Sequence, residues 1–404
     1  MLLLIIIGTF TYSKVAITTL FIFTVPNFSM SIRNFFKSMI FRVNIIVVIV
    51  FLCTYLAPYI SPQTWWIPAP MGLAYPFLLI INVCFMFFWL YRRSRYALLS
   101  LVVMALGWIL LYNSFAFRLT SWTSNVPKAD SLLVKVMSYN VKNFDLYNWT
   151  KNSESRDKMM ELIRQEKPDI ICFQEFYSQD DTLFDNVKYI SEQLKYPYYQ
   201  FEKTLTLRKT NHWGIALFSR YPFSNSRRIE FGNSEQNIAM SVDAVIHNDT
   251  VRLYNTHLQS THLGNRDIKY VENIGDNIET KNTSEHLKSL GNIAEKLRGA
   301  YIKRGVQANK LATDLARSPY KNILCGDFND TPVSYTYRTL SKNLQDSYLR
   351  DGIGFGGTYS LGPLPAFRID YVLIDTSFMV HNFDIIDSDK NRSDHYPIIS
   401  TFEF

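Results

Sequence analysis

Two polar stretches near the C-terminus, Cys325-Gly326-Asp327-Phe328-Asn329-Asp330 and Ser393-Asp394-His395-Tyr396-Pro397, decide the fold of this chain. The first continues an apolar, strand-like run at 322–325, and the second follows another such run at 371–374, which Asp370 precedes. Short apolar runs that end in polar groups are typical of buried strands that stop at the edge of a sheet. The two stretches therefore predict a site of carboxylate, amide and imidazole groups at the mouth of a sheet.

Three further polar residues close strand-like runs earlier in the chain: Asn140, Glu175 and His257. Glu175 follows the apolar run 170–173, where a carboxylate is costly to bury unless it is paired or binds a metal. Carboxylate and amide oxygens are the ligands that Mg²⁺ prefers. We predict Glu175 as a metal ligand, with a capping or salt-bridging glutamate as the alternative. The Asn140 amide can hold a metal or a water, or orient Glu175.

The remaining candidates suit the activation of water and the stabilisation of charge. Asp327 can accept a proton or orient a water, and Asn329 can donate to a phosphate oxygen, although an Asx-turn is the alternative for this pair. Asp370 and His395 suggest a carboxylate–imidazole pair. Asp394 is predicted to be a metal ligand or a water-orienting group. We assign His257 a catalytic role, against the alternative of a satisfied strand-end histidine.

Six motifs now stand in a fixed order: Ser138-Tyr139-Asn140-Val141, Gln174-Glu175, Asn255-Thr256-His257-Leu258, Gly326-Asp327-Phe328-Asn329, Arg368-Ile369-Asp370-Tyr371-Val372-Leu373 and Ser393-Asp394-His395-Tyr396-Pro397. In this order they resemble the endonuclease/exonuclease/phosphatase superfamily, over about Lys135 to Phe404. The resemblance implies a four-layered α/β sandwich of two packed mixed β-sheets with outer helices, and a hydrolase that depends on Mg²⁺ or Mn²⁺.

The same resemblance assigns roles to the residues. It implies that Glu175 is the main metal ligand and Asn140 a supporting one, that Asp327 and Asn329 serve water and phosphate, and that Asp370 orients His395. The Thr256-His257-Leu258 form is similar to the DNase I, sphingomyelinase and phosphatase branches. DNase I-like members carry a glutamate near 212–220 that supports the histidine, and this sequence has no clear equivalent.

The strand pattern by itself indicates an α+β fold, because strands outnumber helices and hairpin-like pairs dominate after residue 134. The expected organisation has four parts. They are an uncertain apolar leader over 1–29, a membrane domain over 30–117 with three transmembrane helices at about 43–60, 71–90 and 97–117, a linker over 118–134, and a catalytic domain over 135–404. The leader is a further crossing, a signal-like segment or sequence upstream of the true start.

Charge is distributed unevenly along the chain. Residues 1–117 hold seven of the 42 Lys and Arg and none of the 35 Asp and Glu, so the part after residue 117 is balanced at 35 of each sign. The basic residues precede the first apolar run (33–42) or separate the second from the third (92–95), and the loop 61–70 carries no charge. By the positive-inside rule both clusters are cytoplasmic, and the catalytic domain lies outside the cytoplasm.

The substrate class stays open at the level of sequence. The expected activity is in-line attack of water on a phosphoester, and the candidate substrates are a lipid head group, a small phosphate ester and a nucleic acid. The balanced charge after residue 117 does not support non-specific nucleic-acid binding. A non-catalytic membrane scaffold on a degenerate domain is the alternative of another class. The lipid bilayer is an expected partner, and no obligate protein partner is evident.

Four cysteines are present, and none of them forms a zinc-type CxxC pattern. Cys172 and Cys325 lie inside predicted core strands beside the motifs. We expect all four to be small buried hydrophobic residues, and a Cys172–Cys325 disulfide is the alternative if their strands are neighbours.

Overall fold

The computed structural model describes residues 28–117, 133–232, 237–261, 270, 283–359, 367–386 and 393–404. The expected leader over 1–29 lies outside the described residues except for its last two positions, and so does the linker over 118–134 except for its last two.

Fourteen strands are present in the described part of the chain. In chain order they are β1 Ala116–Phe117, β2 Leu133–Asn140, β3 Ile170–Gln179, β4 Tyr198–Leu207, β5 Asn211–Ser219, β6 Phe223–Glu230, β7 Ile238–Ile246, β8 Asp249–His257, β9 Lys321–Asp327, β10 Leu344–Asp346, β11 Ile353–Gly354, β12 Asp370–Asp375, β13 Met379–Ile385 and β14 Ile398–Glu403.

The helices of the described residues differ widely in length. They are α1 Phe28–Thr54, α2 Pro68–Tyr91, α3 Ala97–Leu106, α4 Trp108–Ser114, α5 Ser155–Glu166, α6 Asn186–Lys188, α7 Thr283–Ala316, α8 Tyr335–Leu340 and α9 Ser347–Asp351. One π-helical turn, Tyr189–Gln193, continues α6.

Two six-stranded sheets share one pattern of strand directions. The first has the order β13-β14-β2-β3-β5-β4 and the second the order β10-β12-β9-β8-β7-β6. The central pairs β2·β3 and β8·β9 are parallel, and every other pair in these sheets is antiparallel. Both sheets are therefore mixed, as expected, and each has two parallel strands at its centre.

The side chains form three apolar layers between four layers of backbone. One cluster fills the space between the sheets, with Val136 and Cys172 from the first sheet and Leu253 and Val372 from the second. A second cluster packs the outer face of the first sheet against α5, and a third packs the outer face of the second sheet against α7 and α8. The predicted four-layered α/β sandwich is confirmed.

The two core cysteines face each other across the sandwich rather than along one sheet. Cys172 lies in β3 and Cys325 in β9, and both side chains are buried in the cluster between the sheets. Both are free thiols. A hydrogen bond to Cys325, together with burial, raises the pKa of the Cys172 thiol well above its usual value, so the expectation of a buried neutral residue holds for this pair.

A buried polar contact joins the two sheets near one end of the sandwich. The Asn255 side chain is fully buried, and its Nδ2 donates to the carbonyl oxygens of Phe173 and Ala216 at 2.9 Å each. Its Oδ1 accepts a hydrogen bond of 2.7 Å from Gln174 Nε2. Because Gln174 precedes Glu175 and Asn255 lies two residues before His257, this contact aligns the ends of β3 and β8.

The N-terminal helices form a separate apolar part of the molecule. Two segments, Asn34–Thr54 and Pro68–Tyr91, are long and apolar enough to cross a membrane, and a third span is present if the α3–α4 pair counts as one. That pair is bent by 70° at Gly107. Over the first apolar run, α1 starts before the expected boundary and ends at Thr54, and residues 55–60 form turns and a bend.

We expect Asn255→Ala to destabilise the catalytic domain by about 2–3 kcal/mol, because three hydrogen bonds are lost and buried partner atoms are left unsatisfied. For a domain of this size, that corresponds to a fall in Tm of roughly 5–10 °C. Thermal unfolding of the detergent-solubilised chain measures the shift. Gln165→Ala, on the exposed side of α5, is the matched control and should change Tm by less than about 2 °C. Equal Tm values for the two variants would contradict the bridging role.

Candidate active site

Strand register places three acidic or basic side chains side by side. His257 is paired with Asp327 across β8 and β9, and Asp327 is paired with Asp370 across β9 and β12. Gly326 permits the close parallel pairing, because a Cβ at this position would lie 2.0 Å from the Thr256 carbonyl oxygen. The predicted residues of the second sheet therefore meet at one end of the sandwich.

Asp327 is at the centre of the group and is almost completely buried. Its Oδ2 accepts a hydrogen bond of 3.1 Å from Asn140 Nδ2, and it lies 3.7 Å from the Nε2 atoms of both His257 and His395. Burial, reinforced by the charge of Asp370, raises the pKa of Asp327 to about 6, and the two histidines oppose that rise. Asp327 is thus a carboxylate whose basicity is increased, as a proton acceptor requires.

Asp370 and His395 form the predicted pair. His395 Nδ1 lies 3.0 and 3.2 Å from the two carboxylate oxygens of Asp370, and both side chains are buried. Burial disfavours the imidazolium, but the negative charges of Asp370 and Asp327 outweigh it and raise the pKa of His395 to about 10. The Thr358 hydroxyl accepts hydrogen bonds of 3.1 Å from the backbone N–H groups of Ile369 and Asp370 and holds this strand end in place.

A bulge in β3 turns Glu175 toward the site. The pairing of β3 with β5 shifts between Phe173 and Phe176, and Glu175 takes a left-handed conformation with φ of 48°. Phe173 and Phe176 consequently both pack into the outer layer, although they are three residues apart. Regular alternation would place Glu175 on the outer face, so the bulge gives this carboxylate its position.

Asn140 links Glu175 to Asp327. Its Nδ2 donates to Glu175 Oε1 at 3.2 Å and to Asp327 Oδ2 at 3.1 Å. In this arrangement the Asn140 amide orients the two carboxylates, one of the roles that the sequence left open for it.

His257 faces the same two carboxylates. Its Nε2 atom is buried, lies 3.8 Å from Glu175 Oε1 and 3.7 Å from Asp327 Oδ2, and has no hydrogen-bond partner among the described residues. The carboxylates near His257 therefore come from β3 and β9, and not from the 212–220 region.

Asn329 follows the central carboxylate in a tight turn with φ of 53°. Its backbone N–H donates to Asp327 Oδ1 at 2.8 Å, and its Nδ2 donates to the Leu258 carbonyl at 3.0 Å. The first of these bonds is the Asx-turn that the sequence offered as an alternative. Because an amide NH₂ has two donors, the turn leaves one N–H of Asn329 for a substrate oxygen.

Asp394 has a cation as its partner. Lys142 Nζ lies 2.5 Å from Asp394 Oδ2 and 5.2 Å from the centre of the Trp149 ring. Lys142 begins four consecutive left-handed residues, 142–145, which turn the chain back after Asn140. The sequence analysis did not single out Lys142, and its position two residues after Asn140 was the only available signal.

Tyr359 is a second residue that sequence reasoning missed. Its ring packs against the His395 ring with the centroids 4.7 Å apart. Burial raises the pKa of its hydroxyl, and the carboxylates of the site add to that rise, so this tyrosine is a neutral wall of the site. Its signal, an aromatic residue after the glycine-rich stretch 352–357, is too common to identify a site residue.

The donor set suits a hard divalent cation. Within the described residues, Asp327, Asp370 and His395 offer ligand atoms within 4.8 Å of one another, and Glu175 and Asn140 add oxygen atoms beside them. The unpartnered Nε2 of buried His257 points to the same place. Three carboxylates and an amide with one orphaned nitrogen fit an oxygen-ligated ion such as Mg²⁺ or Mn²⁺.

Comparison with known proteins places this fold and site in a class. The family model described as the endonuclease/exonuclease/phosphatase family matches residues 137–395, and the chain belongs to that family. Members of this superfamily are hydrolases of phosphoester bonds. A second model, described as a domain of unknown function, matches residues 37–114. No curated protein matches the chain.

Solved structures of the same fold include three that illustrate its spread. The human Nocturnin catalytic domain with bound sulfate is 21% identical, and the match covers 67% of this chain and 93% of that one at a TM-score of 0.46. A humanized D. rerio TDP2 is 15% identical over 68% and 100% at 0.46. A family protein from Bacteroides thetaiotaomicron is 17% identical over 68% and 98% at 0.46.

We expect the Asp370–His395 pair to act as a unit in catalysis. His395→Ala should lower kcat/KM by about 10²–10⁴-fold, and Asp370→Asn should reproduce much of that loss. The double variant should lose little more than the worse single variant, because the two effects are not independent. Steady-state kinetics on bis-p-nitrophenyl phosphate at saturating Mg²⁺ measures the cycle.

The matched control for this cycle is His381→Ala. His381 forms another histidine–carboxylate pair, 3.0 Å from Glu403, at the opposite end of β14. It should retain activity within about twofold. Losses that multiply independently for Asp370 and His395 would refute the pairing.

Proposed function

We propose that this protein is a membrane-anchored, divalent-metal-dependent phosphoester hydrolase whose catalytic domain lies outside the cytoplasm. The observation that carries the proposal is the environment of Asp327. One buried carboxylate contacts an amide and faces two histidines, one of them held by a second carboxylate, at the open end of a sandwich of this family.

The residues divide the work of an in-line attack by water on phosphorus. Asp327, with its raised pKa, orients the water and accepts its proton. His395, kept protonated by Asp370, offers its Nε2–H to the charge that builds on the phosphate oxygens. Asn329 and Lys142 add donors at the same edge of the sheets.

Glu175 and Asn140 are the residues that would hold the metal, with His257 beside them. When bound, a divalent ion neutralises phosphate charge and polarises the reacting groups. Asp394 is a weaker candidate ligand than the sequence predicted, because Lys142 already neutralises it.

The placement of charge supports the anchored topology. The end of α1, the start of α2 and the end of α4 all lie on the side of the catalytic domain, where Tyr59, Gln63 and Asn113 contact it. The basic residues at 92–95 connect the opposite ends of α2 and α3. Positive loops on one side and the folded domain on the other agree with a cytoplasmic position for 92–95.

Glu175→Ala should lower kcat/KM by about 10²-fold or more while leaving the fold intact. Metal-derived stabilisation is worth several kcal/mol, and each 1.36 kcal/mol corresponds to a tenfold change in rate. Hydrolysis of bis-p-nitrophenyl phosphate is titrated with Mg²⁺ and with EDTA. Glu192→Ala, at an exposed glutamate, is the control. Activity of Glu175→Ala within about threefold of the parent, with an unchanged Mg²⁺ titration, would remove Glu175 from the metal site.

The topology predicts opposite results for two reporter fusions. After residue 404, alkaline phosphatase should be active and green fluorescent protein dark, because the C-terminal domain is outside. After Ser94, between the arginines, the fluorescent protein should be bright and the phosphatase inactive. Reporter activity in intact cells gives the answer, and the reversed pattern at both positions would refute the proposed orientation.

A further inference from the structure

The active-site end of the catalytic domain packs directly against the N-terminal helices. Val333, four residues after Asn329, lies in an apolar cluster with residues of α1 to α4. Gly72 in α2 makes this contact possible, because a Cβ there would lie 2.0 Å from the Val333 carbonyl oxygen. The loop that follows Asn329 is therefore seated in the helical part of the molecule.

Arg368 makes a second contact, two residues before the catalytic pair begins at Asp370. Its Nη2 donates to the carbonyl of Asn113 at the end of α4 at 2.6 Å, and its Nη1 lies 2.5 Å from Asp346. Arg368 and Asp346 are both almost completely buried. A buried ion pair that also binds a helix end holds the two parts in one fixed arrangement.

The third contact leads from the membrane helices to the catalytic histidine. The Phe77 ring of α2 lies edge-on to the Phe367 ring, with the centroids 6.1 Å apart. Phe367 is joined to Tyr359 by two backbone hydrogen bonds of 2.9 and 3.0 Å, and the Tyr359 ring packs on His395. Two side chains therefore separate the His395 imidazole from a residue inside a candidate membrane span.

Helix geometry gives the depth of that residue. Phe77 is 14 residues before Tyr91, the last residue of α2, and a helix rises ~1.5 Å per residue, so the two are about 21 Å apart. The hydrocarbon core is ~30 Å thick, and ~40–45 Å with the head groups. With Arg92 and Arg93 in the inner head-group layer, Phe77 lies below the outer surface of the core, and the active site lies at the level of the outer head groups.

Exposed side chains at the same edge suit a bilayer surface. Tyr147 and Trp149 follow β2 after its active-site end, and they are 58% and 47% exposed. Leu207 and Arg208 lie at the turn between β4 and β5, beyond Glu175, and Leu207 is 50% exposed. Trp65, in the uncharged loop before α2, is 47% exposed. Tryptophan, tyrosine and cationic residues with apolar neighbours are typical of the membrane interface.

We propose that the substrate is a phosphoester of a membrane lipid, hydrolysed in place in the outer head-group layer. This inference rests on the proposed function and goes beyond it by naming the substrate class. The interface holds His395 and Asp327 where lipid phosphates lie, so a lipid reaches the site without leaving the bilayer. A soluble ester lacks this local concentration, and a nucleic acid has to fit between the site and the head groups.

The test compares the same phosphoester with and without acyl chains. The full chain, purified in nonionic detergent, is assayed at saturating Mg²⁺ on phosphatidylglycerol and on glycerophosphoglycerol, and on phosphatidic acid and on glycerol 3-phosphate. Single-stranded DNA and bis-p-nitrophenyl phosphate are further arms. We expect at least one lipid to have a kcat/KM at least tenfold above that of its deacylated counterpart, with its rate falling as added detergent dilutes it within the micelle.

Each other outcome overturns one of the two proposals. Deacylated esters or DNA hydrolysed as well as or better than the lipids would overturn the lipid assignment. Hydrolysis of bis-p-nitrophenyl phosphate without any lipid hydrolysis would also overturn it, and would leave the proposed function intact. No hydrolysis of any substrate, with a folded and metal-loaded protein, would overturn the proposed function itself.

A pair of variants tests the role of the interface. Phe77→Ala removes the ring that contacts Phe367, whereas Phe87→Ala changes a ring of the same helix that is 60% exposed. In nanodiscs, Phe77→Ala should lower kcat/KM for the lipid by about fivefold or more and leave bis-p-nitrophenyl phosphate hydrolysis within twofold. Phe87→Ala should change neither. An equal loss on both substrates for Phe77→Ala would show a structural effect alone and would contradict the positional argument.

Discussion

The buried amide of Asn255 is the contact on which the rest of the site depends. The two sheets are otherwise held together by apolar side chains, which are non-directional and tolerate small shifts. Asn255 adds directional hydrogen bonds to both neighbours in the facing sheet, at the level where β3 and β8 end. Because Glu175 and His257 follow within two residues, the positions of a carboxylate from one sheet and an imidazole from the other are tied to this contact.

Electrostatic compensation stabilises the acidic cluster and gives it its chemistry. Asp327 and Asp370 are buried next to each other, which by itself disfavours two negative charges. His395 lies against both and relieves that repulsion when it is protonated, and Asn140 donates a hydrogen bond to Asp327. The arrangement keeps a basic carboxylate and an imidazolium less than 4 Å apart, and an ordinary solvated pair would not maintain this separation of roles.

The catalytic domain and the N-terminal helices form one structural unit at the active-site end. Val333, Arg368 and Phe367 all belong to loops that follow or precede catalytic residues, and all three contact the helical part. These loops are in most proteins the mobile connections around a site. Here the helices hold them in place, so the anchor contributes to the geometry of the site as well as to its location.

The sequence by itself determined the family, the four-layered sandwich and the polar residues at the strand ends, because six motifs in order and their apolar flanks are local features. It also determined the apolar N-terminal part and its one-signed charge. The tertiary structure alone decided which polar groups meet: the bulge that turns Glu175 inward, the pairing of Asp394 with Lys142, the position of Tyr359 on His395, and the docking of Val333 and Arg368 on the helices. These contacts join residues far apart in the chain, and they depend on strand register and domain packing, which no local pattern of residues specifies.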